Sequence, residues 1–292
     1  MSIHFCLHVI PLYQRIGSRY YHYIALTVFV LFGGLSTRVT GGIEETKFET
    51  FAPGGEVRCL LLLVPGYNGN GLDMLDDRWR AFAARNKLVL LAPTFIAEGM
   101  ENNQGRGYYY PEQGSGRVMV RALESVSKRY GVRAEKVLMF GFSAGAHFTH
   151  RFAIWKPERV AAFVAYSAGW WSLPVGRVKK VPALIMCGED DPRYEASFGF
   201  FKRGQALGCP WVWKSFGDTG HVLSGPIRDL AEVFLKHYAR ELLQRGNGRD
   251  MPAAIYGDVQ TFRRTEAKEA VGEDSRILLP SLEVAEIGRA HV

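Results

Sequence analysis

Residues 137–150 read VLMFGFSAGAHFTH. An apolar run ends in a serine held between two glycines, Gly141-Phe142-Ser143-Ala144-Gly145, and from there the spacing changes. Phe148, Phe152 and Trp155 recur at four and three residues, the period of a helix. A serine at the point where a buried strand becomes a helix, within G-x-S-x-G, has the context of a nucleophile elbow. The turn is so tight that side chains at 141 and 145 would strike neighbouring backbone, which accounts for both glycines. The helix N-terminus beneath Ser143 favours negative charge developing there.

Working outward, short apolar runs alternate with helical patterns from about residue 57 to 243. The runs are VRCLLLLV (57–64), KLVLLAPT (87–94), EKVLMF (135–140), RVAAFVAY (159–166), VPALIMC (181–187) and WVWKSF (211–216). Several are apolar without alternation, as strands buried on both faces are. Leu72, Leu75, Trp79 and Phe82 give one helical face; Met119, Leu123, Val126 and Tyr130, ended by Gly131, give another. Pro157 stops the helix after Ser143. Ser224 and Pro226 start a last one through Ile227, Leu230, Phe234, Tyr238 and Leu242. This alternation predicts an α/β protein with a mostly parallel, doubly wound sheet and helices on both faces.

A serine nucleophile needs a base, and the base needs a carboxylate to orient it. Beyond the helix that follows Ser143, the histidines are His221, His237 and His291. His237 lies on an apolar-patterned helix, whereas His221 sits in GDTGH, directly after the last predicted strand, and is the predicted base. The acid is expected after VPALIMC, where the chain reads Gly188-Glu189-Asp190-Asp191-Pro192. Asp191 is favoured because the residue before proline is extended; Asp190 and Asp218 are its rivals. Oxyanion stabilisation needs two backbone N–H groups. Ala144, following the nucleophile, offers one; the Gly-rich loop Val64-Pro65-Gly66-Tyr67-Asn68-Gly69 offers the other, from Tyr67 or its neighbour Asn68.

With these residues in place, the stretch from about 45 to 243 resembles the α/β-hydrolase superfamily. Within it, the chain is most similar to the polyhydroxyalkanoate depolymerase and feruloyl esterase group. LLLVPGYNGNG, VLMFGFSAGAHFTH, ALIMCGEDDPRY and GDTGH line up in order with that group's oxyanion, nucleophile, acid and histidine loops. The resemblance implies an α/β-hydrolase fold and a serine esterase with Ser143 as nucleophile, Asp191 as acid and His221 as base. Pro65 stands where the group's oxyanion loop has histidine, and Ala146 replaces a glycine that often follows the elbow.

Loops at strand C-termini build pockets in such folds. Tyr109, in a run of three tyrosines, and Trp170 and Trp171, after the fourth predicted strand, are candidate substrate-binding aromatics; packing over the sheet edge is the competing role. His147 and His150 share a helix face at i, i+3, with no third metal ligand in view, so they are read as packed side chains. No cofactor is implied: there is no Gly-rich phosphate loop and no zinc-spaced cysteine set. A peptidase of the same superfamily and a non-catalytic binding protein on the same scaffold are the alternative readings.

The 292 residues, 47% hydrophobic and 22% charged, suit one core-forming hydrolase domain over 43–246. The net charge of +7 comes from scattered Lys and Arg rather than a run, which argues against nucleic acid as a partner. The expected partner is a small-molecule or polymeric ester. Residues 1–42 read as a signal peptide or signal anchor: Arg15 and Arg19 precede the uncharged Ile24–Leu35, too short to cross a bilayer comfortably. A secreted or periplasmic protein, or one anchored to the membrane with its body outside the cytoplasm, is the expectation. Cys59, Cys187 and Cys209 remain after the leader carrying Cys6, read as buried thiols with a disulfide to Cys209 as the alternative. GNGRDMP is read as a linker to a truncated C-terminal appendage, 247–285. The terminal EIGRAHV (286–292) back-translates to a common sequencing adapter and is set aside as extraneous.

Overall fold

In a computed structural model of the chain, the described residues are 43, 45–96, 107–244, 255–265, 270–272 and 275–291. The leader at 1–42 and the linker at 246–252 fall outside them, so the export expectation has no structural counterpart. Among the described residues no helix is long and apolar enough to cross a membrane.

All six predicted apolar runs are strands of one sheet. They are β2 (Cys59–Val64), β3 (Leu88–Thr94), β4 (Val137–Phe142), β5 (Val160–Tyr166), β6 (Ala183–Gly188) and β7 (Trp211–Phe216). A seventh strand, β1 (Lys47–Phe51), pairs antiparallel with β3 at the edge, and the order is β1-β3-β2-β4-β5-β6-β7 with the others parallel. The sequence reading did not mark KFETF: an edge strand carries no continuous apolar run, and its residues are half-buried or exposed. In the centre, Leu60–Val64 and Leu138–Phe140 are fully buried, as parallel strands sandwiched by helices require.

Four helices connect these strands and a fifth follows β7: α1 (Asp77–Asn86), α2 (Ser115–Tyr130), α3 (Ala144–Trp155), α4 (Tyr194–Ala206) and, last, α5 (Gly225–Gln244). α3 and α5 both pack over β2, β4 and β5 without packing on each other, so they cover opposite faces. The helix expected from Leu72 is shorter than its spacing suggested. A 3-10 turn, Asp73–Leu75, gives way to extended Asp76, whose carboxylate accepts the Trp79 N–H as the N-cap of α1. Leu72 thereby leaves the apolar face and is 52% exposed.

Beyond α5, β8 (Ile255–Asp258), β9 (Arg264–Thr265) and β10 (Arg276–Leu279) form a small antiparallel sheet, followed by α6 (Leu282–Ala290). Phe262, Ile277, Leu279 and Val284 are buried in the same hydrophobic core as the large sheet. Residues 286–290 lie within α6, where Gly288 sits directly against the Phe262 ring.

The chain steps from β2 to β3 on one side, then crosses back to place β4 on the other side of β2. The strand order reverses between β2 and β4, and ligands of open α/β sheets bind at the carboxyl ends of strands flanking such a point. The loop after β2 and the serine after β4 meet there.

Candidate active site

Ser143 occupies the turn between β4 and α3 with φ 55° and ψ −114°, a conformation that non-glycine residues rarely adopt. The two glycines are there for close approach. A Cβ on Gly141 would fall 2.3 Å from the Gly145 carbonyl oxygen, and one on Gly145 would fall 2.0 Å from that of Val64. Only bare Cα atoms let α3 begin so near β2, and that proximity lifts Ser143 above the strand ends.

The structure brings Ser143, His221 and Asp191 into one hydrogen-bonded chain. His221 Nε2 is 2.9 Å from Ser143 Oγ, and His221 Nδ1 is 2.6 Å from Asp191 Oδ2. They come from the loops after β4, β7 and β6. The Asp191 carboxylate at the end of that chain is closed off from solvent, while the His221 side chain is 29% exposed, leaving it reachable by a ligand. A carboxylate can only accept, so Nδ1 donates to Asp191, which leaves Nε2 to face the serine hydroxyl.

Asp191 is favoured over its rivals by position. Its second oxygen, Oδ1, accepts from the Arg193 N–H at 3.0 Å and from Arg193 Nη1 at 3.1 Å. Burial pushes its carboxyl up, but the hydrogen bonds from His221, Arg193 and Ser167 outweigh that and hold it below the usual carboxylate range. Asp190 and Asp218 are both exposed, and Asp190 uses its backbone N–H to bond the Thr219 carbonyl at 3.0 Å.

The oxyanion candidates flank the serine. Ala144 follows it as the first residue of α3, and Gly66 packs so closely that a Cβ there would lie 3.7 Å from Ser143 Cβ. Tyr67 is the next residue, in a turn closed by the Gly69 N–H on the Gly66 carbonyl at 3.0 Å. Neither the Tyr67 nor the Ala144 N–H meets an acceptor among the described residues.

The aromatic candidates separate. Trp170 is 55% exposed and Tyr67 56%, both at the strand C-termini. Tyr109 is buried, its ring parallel to that of His147 at 4.6 Å, and His147 in turn lies 5.1 Å from Trp170. Trp171 departs from the expected pocket position: it stacks on Phe200 at 4.3 Å and lies 4.7 Å from His150, so its ring serves packing.

His147 and His150 are packed, as read from the sequence. His150 donates from Nδ1 to the Ala146 carbonyl at 2.7 Å and accepts the Ser172 N–H on Nε2 at 3.0 Å. His147 Nε2 accepts the Gly169 N–H at 3.2 Å. Burial, reinforced by the Arg151 charge, pushes His147 down to about 3 and His150 well below the ordinary histidine range, so both are neutral. Together they tie the 169–172 loop to α3.

Arg151, which sequence reasoning passed over, completes that tie. It is buried, donates to Ser172 Oγ at 2.9 Å and the Trp170 carbonyl at 3.0 Å, and lies 4.3 Å from the Tyr110 ring centroid. The available signal was its i+4 spacing from His147 on one helix face. Cys59, Cys187 and Cys209 are free and buried, so the disulfide alternative does not form.

No family profile and no curated protein matches the chain. Solved structures do. LpqC, a poly(3-hydroxybutyrate) depolymerase from Bordetella parapertussis, is 21% identical over 70% of this chain and 86% of its own, with a TM-score of 0.52. Esterase PE8 is 19% identical over 68% and 99%, with a TM-score of 0.53. One of two fungal esterases from Rhizomucor miehei is 11% identical over 69% and 81%, with a TM-score of 0.54. At these identities the likeness is one of architecture, and it is unambiguous: the chain has the α/β-hydrolase fold. Its carboxyl strand edge carries a hydrogen-bonded Ser–His–Asp chain.

Proposed function

We propose that this protein is a serine esterase that cleaves a carboxylic ester through an acyl-enzyme. The observation that carries the reading is the contact chain itself, Ser143 Oγ to His221 Nε2 at 2.9 Å and His221 Nδ1 to Asp191 at 2.6 Å, at a nucleophile elbow. As Ser143 attacks the ester carbonyl, His221 takes its proton on Nε2 and Asp191 steadies the imidazolium. The Tyr67 and Ala144 N–H groups receive the oxyanion, helped by the N-terminus of α3. His221 then passes the proton to the departing alkoxide. Water repeats the sequence on the acyl-enzyme, releasing the acid and restoring Ser143.

Ester as the substrate class is favoured by the esterases and the polyester depolymerase among the structures that share the fold. Trp170 and the exposed face of Tyr67 are the side chains best placed to meet the substrate, with Tyr109 behind them. The leader-like 1–42 segment supports an exported protein, soluble or anchored, which cell fractionation would test.

The direct test compares the full chain with Ser143→Ala using a fluorophosphonate probe, short- and long-chain nitrophenyl esters and a feruloyl ester. Labelling lost in the variant, with turnover of at least one ester, is the expected result. Well-folded wild-type protein that takes no label would refute the reading.

A further inference from the structure

We propose that Tyr166 and Ser167, the dipeptide at the carboxyl end of β5, are positioning residues that hold all three members of the Ser–His–Asp chain in register. The inference rests on the serine-esterase reading. Its origin is topological: Ser143 leaves β4 and Asp191 leaves β6, while β5 lies between them. The end of β5 is therefore the one backbone position beneath both loops, and His221 arrives over it from β7.

Each member has its own contact. The Ser143 N–H donates to the Tyr166 carbonyl at 2.8 Å, fixing the strained nucleophile to the neighbouring strand. The Tyr166 hydroxyl reaches across to donate to the Val222 carbonyl at 2.8 Å, pinning the residue beside His221. The Tyr166 ring stacks on Phe142 at 5.4 Å, and Phe142 lies 4.9 Å from the His221 ring. Ser167 serves the third member. Its N–H bonds the Met186 carbonyl at 3.0 Å, its hydroxyl lies 3.5 Å from Cys187 Sγ at the end of the strand that carries the Asp191 loop, and it is among the groups that hold the Asp191 carboxyl below its ordinary range.

Ser167 is also in the wrong conformation for a serine. It is fully buried with φ 58°, where glycine would sit without steric cost. The chain instead places a hydroxyl in a spot that must satisfy it, against the acid of the triad. The groups facing the Asp191–His221 pair are Ser143, Tyr166, Ser167, Cys187 and the Arg193 guanidinium.

The test uses the full chain carrying Tyr166→Phe, Ser167→Ala or Ser167→Gly, with a nitrophenyl ester, a fluorophosphonate and thermal unfolding. Ser167→Gly relieves the backbone and removes only the hydroxyl, so its Tm should equal or exceed that of Ser167→Ala. Its kcat should nonetheless fall about tenfold, the usual cost of one hydrogen bond to a charged group, with KM within about twofold. With one donor fewer, Asp191 acts more strongly on His221, and the acid limb of the kcat/KM–pH profile should move upward. Tyr166→Phe keeps the ring and should lower kcat several-fold without moving that limb. A residue that only packs would lower Tm and leave the limb in place. Wild-type kcat and an unmoved limb in Ser167→Gly, or wild-type kcat in Tyr166→Phe, overturns the assignment while the esterase reading stands. An unlabelled, inactive wild type overturns both.

Discussion

At the carboxyl ends of the parallel strands most of the strained, closely approached backbone gathers, whereas their amino ends carry a hollow. Of six described non-glycine residues with positive φ, four (Asn68, Ser143, Ser167 and Asp218) leave β2, β4, β5 and β7 at the carboxyl edge. Tyr67, Leu72, Trp170 and Val222, four of the eight exposed large hydrophobics among the described residues, lie on loops that leave β2, β5 and β7 at that edge too. The amino edge carries a cleft of about 630 Å³ lined by Glu56, Arg58, Arg133, Glu135 and Lys136, among others, with none of the Ser–His–Asp residues. A large hollow is therefore a poor guide to chemistry here. Strain at a residue with a reactive side chain is a better one, because such conformations persist only where surrounding contacts hold them.

The largest expected effect separates the two edges by activity. Ser143→Ala should lower kcat/KM by about 10⁴-fold or more, as loss of a triad nucleophile does. Arg133→Ala and Lys136→Ala, at the amino-edge cleft, should leave it within about twofold. Ester kinetics on the three variants would check this, and a large loss from the cleft variants would break the contrast.

Glycines sharpen the same comparison through stability. Gly145→Ala puts a methyl 2.0 Å from backbone oxygen and should cost about 3 kcal/mol, since neither strand nor helix can give way. Gly131, ending α2 at the amino edge with φ 65°, faces open space, so Gly131→Ala should cost only about 1 kcal/mol. Urea denaturation of both variants gives the two numbers.

Acid should act on the carboxyl edge in two stages. His147 and His150 are held neutral with folded pKa values below their unfolded ones, so stability is present above the ordinary histidine pKa of about 6.5 and lost as pH falls below it. The fully buried His150 alone contributes a slope approaching about 1.4 kcal/mol per pH unit there. Asp191, also depressed, adds a second loss only below the ordinary aspartate range near 4. Urea midpoints from pH 7 to 3, with and without Asp191→Asn, would resolve the stages; a flat curve between pH 6.5 and 5 would contradict the first.

The smallest effect belongs to the amino edge. Hydrogen bonds from Arg58 and Lys87 hold the Glu56 carboxyl down to about 2, but all three side chains are well exposed. Glu56→Gln should therefore change acid stability slightly at low salt and not measurably at about 0.5 M salt, where exposed pairs are screened.

Much of this was legible along the chain. Leu60–Val64 and Val137–Phe140 announce themselves because burial on both faces demands unbroken apolar runs, and the glycines around Ser143 because no other residue fits. β1 was not, since an edge strand needs no such run, and Leu72 misled because Asp76 caps a new helix just after it. Trp171 and Arg151 were not legible either: whether a side chain on a loop or helix turns toward ligand or core depends on what other segments place beside it, here Phe200, Tyr110 and Ser172.

The sequence by itself determined the α/β alternation and the elbow, because each rests on local rules of burial period and turn sterics; the search for an acid and a histidine on later loops came from the family resemblance. Only the tertiary structure decided that Asp191 rather than Asp190 meets His221, and that Tyr166 and Ser167 lie beneath the site. Those facts depend on distances between residues 20 to 80 positions apart, set by strand order and register, which no local pattern encodes.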